Sequence, residues 1–251
     1  MKALIISLLA ATLSVGCATQ IVPQQQLEAM GIQAFTELKQ NKPIVTDRRV
    51  NDYVQCVARS VVAPLGPGNW EVVVFQDDEA NAFALPGGKI GVHTGLLKIA
   101  ENQDQLATVI GHEVGHVLAN HSGERLSQAT QAQIGTQAAG MALRVLLPEY
   151  ADLVGTGVNI GSGLLLRRFS REHESEADLI GIDLMARAGF DPTQSVALWQ
   201  NMAREAAGRE PPELLSTHPG SGTRIQDLQA NMPPAVQMYQ SSLAQGRRPR
   251  C

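Results

Sequence analysis

Residues 112–116 read His112-Glu113-Val114-Gly115-His116. On an α-helix, residues four apart leave from one face, about 40° apart around the axis. Both imidazoles can therefore reach a single metal ion, and zinc takes imidazole nitrogens readily. A glutamate one position after the first histidine can take a proton from water beside that ion. The chemistry this spacing supports is metal-assisted hydrolysis, with His112 and His116 as ligands and Glu113 as general base.

The helix around the string fits that chemistry. At 100° per residue, Leu106, Val109, Ile110, Val114 and Val117 form one broad apolar stripe. His112 and His116 fall at its flank, with Glu113 between them and the stripe. Polar groups bordering a buried face are costly unless bonded or metallated. Gly111 and Gly115 lie on a further strip, each costing about 1 kcal/mol relative to alanine inside a helix. They predict that another element packs closely there.

A hydrolytic zinc site needs a third protein ligand and an open position. His121 lies five residues past His116, but the pattern with glycine three and histidine six residues on fails at Ala119 and Ser122. His121 reads as a capping or surface residue at the helix end. A better candidate lies in Ser170-Arg171-Glu172-His173-Glu174-Ser175-Glu176-Ala177-Asp178. On a helix starting there, Ala177, Asp178, Gly181, Leu184, Met185 and Ala188 fall within about 80° of Glu174. Glu172 and Glu176 point the other way, to solvent. Buried carboxylates with nothing to bind are rare, so Glu174 is the expected third ligand. Asp178, one turn on, is the expected acceptor for a ligand histidine's free ring N–H. Two alternatives stand: buried ion pairs with Arg167, Arg168 or Arg171, and His173 as the ligand instead.

Other elements must position these groups. Residues 25–40 and 46–63 read as helices, Trp70–Phe75 as a strand, and Ala82–Leu85 with Lys89–Val92 as a hairpin around Pro86-Gly87-Gly88. Residues 122–165 are rich in Ala, Gln and Gly, which suits a mobile helix-loop over the cleft, a surface that touches membrane or client, or loose surface packing. Pro211-Pro212 opens a loop into His218, and Met232-Pro233-Pro234 predicts the end of the folded domain. Residues 233–251 then form a tail whose Arg247–Arg250 end is solvated. The chain is 251 residues long with net charge −4, enough for one domain with a substantial core. No basic patch with interleaved aromatics is present, which argues against nucleic acid as a partner.

The N-terminus predicts a destination. Met1-Lys2 is a short basic start, Ala3–Leu13 an apolar run, and Ser14-Val15-Gly16-Cys17 follows. The run is too short to span a bilayer and reads as a signal peptide over residues 1–16. The small residue before Cys17 resembles a bacterial lipobox, making Cys17 the lipidated residue and residues 17–24 a tether to membrane. Cleavage near Ala18, with Cys17 lost, is the alternative. Ala18 follows the cysteine, so no aspartate is there to suggest retention at the inner membrane. Cys56 and Cys251 remain, to pair in an oxidising compartment or to stay free thiols.

His112-Glu113…His116 followed by Glu174 and Asp178 resembles the HtpX/BepA/Oma-type zinc metallopeptidases, which include the CAAX prenyl proteases. Asn81–Ile90, Thr94-Gly95-Leu96-Leu97 and Ser216-Thr217-His218-Pro219 through Arg224-Ile225 resemble further stretches of that family. The resemblance covers residues 25–230 and implies an α+β fold. This is a mainly helical, gluzincin (zincin-like) domain over residues 25–232, with a small β-sheet beside the active-site helix. It implies one zinc per chain on His112, His116 and Glu174, and endopeptidase activity on polypeptides. An edge strand of the hairpin would hold substrate backbone. Zinc with His218 or Arg224 would stabilise the developing oxyanion, or His218 would fill the fourth zinc position and hold the enzyme latent. The multi-span helices of some branches are absent, so the periplasmic branch is the nearer match. That branch implies quality control of misfolded or unassembled envelope proteins and contact with outer-membrane assembly machinery. Two rivals stand beside it. One is a lipid-anchored chaperone or assembly factor that retains a zinc site, which would not need Glu113. The other is a structural-zinc lipoprotein, which would want four protein ligands.

Overall fold

A computed structural model describes residues 22–131, 169–206, 213–218 and 223–251 of the chain. The leader, Cys17, most of the 122–165 segment and the Pro211-Pro212 loop lie outside the described residues. Helices α1 (Gln24–Asn41) and α2 (Arg48–Val62) precede strand β1 (Glu71–Phe75) and the hairpin of β2 (Ala82–Leu85) and β3 (Lys89–His93). Helix α3 (Gln103–Leu118) follows, and residues 121–131 are helical (α4). Then come α5 (Arg171–Ala188), α6 (Gln194–Ala206), α7 (Glu213–Thr217) and α8 (Arg224–Ala244). This is the α+β, mainly helical architecture with a small sheet that the resemblance implied.

Helix starts are set by their caps. Asp47 accepts from the Arg49 and Val50 amides, Asn102 from Asp104 and Gln105, and Ser170 from His173. The sheet order is β1-β3-β2, with β1 parallel and β2 antiparallel to β3. Gly87 and Gly88 carry the positive φ angles of 83° and 71° that the tight hairpin turn demands. The outer side of β1 is covered where the Val45 amide donates to Val74 and the Gln76 amide to Pro43. Strand β2 pairs only with β3 among the described strands, so its other side is an edge. Helix α3 runs beside β2 and is buried along most of its length between the sheet, α2, α5 and α6. No described helix is long and apolar enough to cross a membrane.

The C-terminal part departs from expectation. Helix α8 does not stop at Met232-Pro233-Pro234 but carries both prolines within it. Prolines break helices by removing a backbone bond and by steric clash, yet here tertiary contacts on both sides hold the path. Leu228 and Ala235 are buried, and Ser242 Oγ donates to the Arg187 carbonyl. The basic end is not simply solvated either. Arg247 donates to that same carbonyl in the last turn of α5, where free carbonyls and the negative end of the helix attract cations. Gln103 at the start of α3 then holds Pro249 and Cys251. Cys251 is joined to Cys56 of α2 in a disulfide.

Candidate metal and catalytic centre

Close helix packing brings the donors together. A methyl group at Gly111 would meet the Gly181 carbonyl oxygen at 2.9 Å, and one at Gly115 would meet that of Ala177 at 2.8 Å. The glycine strip of α3 is thus the seam against α5. Across it, His112, His116 and Glu174, each 2 % exposed, converge with His218. The His112 and His116 Nε2 atoms are 3.1 Å apart. Glu174 places Oε2 3.3 Å from His112 Nε2 and Oε1 3.5 Å from His116 Nε2. His218 Nδ1 lies 3.3 Å from His112 Nε2 and 3.0 Å from Glu174 Oε1.

These spacings test the fit to zinc. Zinc–nitrogen bonds of about 2.0–2.1 Å in a tetrahedron hold neighbouring ligand atoms roughly 3.3 Å apart. The observed separations bracket that value, and the donor set is two imidazoles, a carboxylate and a third imidazole. A ligand histidine with Nε2 turned to the cluster carries its proton on Nδ1. For His112 that N–H meets Asp178 Oδ1 at 2.9 Å, the role expected of Asp178. A second set of donors, Asp77, Glu79 and His93, lies at the far end of β1 and β3. There Lys42 Nζ already sits 2.6 Å from Asp77.

Several predicted residues sit elsewhere than expected. His121 is neither a cap nor on the surface: it is 1 % exposed, with its Nδ1 2.9 Å from His116 Nδ1. The turn at Asn120, with φ of 58°, folds the chain back so that His121 returns under His116. His173 is outside the donor cluster; it stacks on His121 and bonds Glu124. Glu176 is largely exposed, as expected, yet bonds His121. Arg167 and Arg168 lie outside the described residues; among the described residues, the arginine that serves the buried carboxylates is Arg224 rather than Arg171. Its guanidinium reaches Asp178 at 2.7 Å and Glu174 at 3.4 Å, donates to the His218 carbonyl, and lies 3.6 Å from the centre of the Trp199 ring. Arg224 thus braces Asp178, which holds His112, and Glu174. Trp199 and Phe169, which stacks on His116 at 3.9 Å, carried no signal in the sequence beyond being aromatic.

The electrostatics follow from burial and pairing. Burial disfavours the His112 cation, but hydrogen bonds and charge from Asp178 and Glu174 outweigh it, pushing its pKa up to about 9. His116 moves the other way, to about 2, because burial and the neighbouring imidazoles dominate over Glu174. Burial raises both carboxylates, Glu174 and Asp178, yet hydrogen bonds from the histidines bring them below the usual range, with charge from Arg224 helping at Asp178. Glu113 is pushed up, chiefly by burial. Its Oε1 has no hydrogen-bond partner among the described residues, and His218 Nε2 lies 3.4 Å away. The Ala84 backbone N–H, on β2, donates to the Glu113 carboxylate. A buried carboxylate with one idle oxygen and an upward-shifted pKa is suited to taking up and giving back a proton.

Comparison with known proteins agrees with the geometry. The model of peptidase family M48 matches residues 45–232. The mitochondrial metalloendopeptidase OMA1 of Saccharomyces cerevisiae is 37% identical over 185 residues, covering 69% of this chain and 50% of the relative. OMA1 of Arabidopsis thaliana is 33% identical over 234 residues, or 90% of this chain and 46% of its own. The beta-barrel assembly-enhancing protease of Escherichia coli is 28% identical over 204 residues, 79% of this chain and 42% of its own. The chain spans about half the length of these relatives.

Proposed function

Because the chain belongs to peptidase family M48, we propose that it is a zinc-dependent endopeptidase of the bacterial cell envelope, cutting misfolded or unassembled proteins there. The observation that carries the activity is the convergence of His112, His116 and Glu174 beside Glu113. His112, His116 and Glu174 would hold the metal, and Asp178 and Arg224 would hold His112 and Glu174 in place. Zinc bound there supplies Lewis acidity, polarising a peptide carbonyl and acidifying water near neutral pH. Glu113 takes a proton from the attacking water and hands it to the leaving amine. An extended substrate would lie along the free side of β2, its backbone pairing with the strand as an added member of the sheet. The Ala84 amide ties that strand to Glu113, so the scissile bond and the base share one frame.

His218 has a second reading that its position favours. Its Nδ1 stands at ligand spacing from His112 and Glu174, where a fourth protein ligand would displace water. In that state the enzyme is latent, and movement of His218 would open the site. Support for the envelope comes from the leader and Cys17, from a relative named as a beta-barrel assembly-enhancing protease, and from the Cys56–Cys251 disulfide, which suits an oxidising compartment. We place the protein in the periplasm, anchored through lipid at Cys17 to the outer membrane, with polypeptide substrates and the outer-membrane assembly machinery as partners. The assembly-factor reading would leave the buried, upward-shifted Glu113 without a use.

The test is substrate trapping in cells. Tagged Glu113→Gln protein should retain a defined set of envelope proteins that the wild type degrades. If nothing is enriched over an untagged control, the quality-control role fails.

A further inference from the structure

His112 and His116 face the donor cluster alike, but their other ring nitrogens meet different partners. His112 Nδ1 meets a carboxylate directly, at Asp178. His116 Nδ1 meets another imidazole nitrogen, His121 Nδ1, at 2.9 Å. A hydrogen bond between two ring nitrogens holds one proton, and either histidine could carry it. His121 has a further contact: its Nε2 lies 3.2 Å from Glu176 Oε2.

That carboxylate decides the assignment. An ionised carboxylate only accepts, so His121 carries its proton on Nε2 and presents a bare Nδ1 to His116. His116 must then carry its proton on Nδ1, leaving the Nε2 lone pair toward His112 and Glu174. The reverse assignment would set a bare His121 Nε2 against Glu176, lone pair against negative charge. It would also put a proton on His116 Nε2, where a metal ligand needs a lone pair. The ring of His121 is held in this orientation by packing. It is 1 % exposed and stacks on His173 at 4.2 Å with planes 17° apart. His173 is itself bonded to Glu124 of α4.

We propose that Glu176 and His121 are positioning residues for His116, acting as a carboxylate–imidazole bridge that fixes its tautomer and aims its Nε2 at the metal. The inference rests on the metal-site reading above and adds two residues that touch neither metal nor substrate. It gives the exposed Glu176 of α5 a task, and it explains why a histidine is buried beneath His116 at the turn after α3.

Zinc affinity, measured by chelator competition on the purified protein, tests it without reference to proteolysis. His121→Phe keeps the stacking on His173 but removes the acceptor. It should weaken zinc binding by about 10- to 100-fold, the range for partners that orient metal-ligating histidines. Glu176→Ala, at a position 60 % exposed and so safe for folding, should weaken it by about tenfold or more. Glu176→Gln, whose amide oxygen still accepts, should bind at least severalfold tighter than Glu176→Ala. Glu174→Ala, which removes a ligand, is the control. If it loses zinc while His121→Phe and Glu176→Ala bind like the wild type, the bridge is overturned and the metal site stands. If Glu176→Gln is no tighter than Glu176→Ala, the accepted proton is not what matters and the bridge is overturned as well. Zinc retained in Glu174→Ala would instead overturn the site on which the inference rests.

Discussion

Gly181 of α5 lies directly against Gly111 of α3: a methyl group added to Gly111 would meet the Gly181 carbonyl oxygen at 2.9 Å. Backbone-to-backbone contact of this kind sets how near the two helices can come. It thereby sets whether Glu174 can reach the histidines across the seam. Gly111→Ala should improve local helix propensity by about 1 kcal/mol but force the helices apart, for a net loss of roughly 1–3 kcal/mol. Zinc affinity should fall with it. Urea denaturation and chelator competition read the two effects, and a variant more stable than wild type would show that the seam has slack.

Metal loading should release a proton. In the metal-free protein His112 titrates at about 9, raised by Asp178 and Glu174 against the effect of burial, so it is protonated at neutral pH. A ligand must be deprotonated, so apparent zinc affinity should rise by about tenfold per pH unit between pH 7 and 9, then level off. The sign is fixed: a raised pKa means metal competes with protons below pH 9. Proton uptake, or affinity independent of pH across that window, would show that His112 is neutral before zinc arrives.

Much of this centre was legible in the sequence because helix periodicity is local. The pair His112 and His116, the inward face of Glu174 and Asp178, and the close packing implied by Gly111 and Gly115 all follow from residues within two or three turns. What escaped depends on chain reversal or on contacts between distant elements. His121 was hidden by the Asn120 turn, since its spacing from His116 fits no single helix face. Arg224 could be singled out from its motif, but its commitment to Asp178 and Trp199 required α5, α6 and α8 to be assembled. Pro233-Pro234 signals a helix end locally, and only burial of Leu228 and Ala235 on either side overrides it. Strand order is likewise non-local, so β2 as the free edge emerges only from the sheet.

Location rests on Cys17. Acyl chains there would supply the proposed anchor, so Cys17→Ser should move the protein from the membrane to the soluble fraction. Identical fractionation of the variant and the wild type would remove lipidation from the account.

His218 separates two roles by the sign of its effect. If it fills the fourth ligand position, as its 3.3 Å spacing from His112 suggests, His218→Ala should raise basal proteolysis. If it stabilises the developing oxyanion, the same change should lower turnover by roughly 10²-fold or more. Activity within about twofold of wild type would exclude both.

The central claim is that His112, His116 and Glu174 hold zinc while Glu113 moves the proton. Glu113 is not among the clustered donors, so Glu113→Gln should leave the metal in place. The direct measurement is zinc content together with cleavage of an unfolded protein by wild type and Glu113→Gln. Both should hold about one zinc per chain, and only the wild type should cleave. Equal cleavage by the two proteins would contradict the claim.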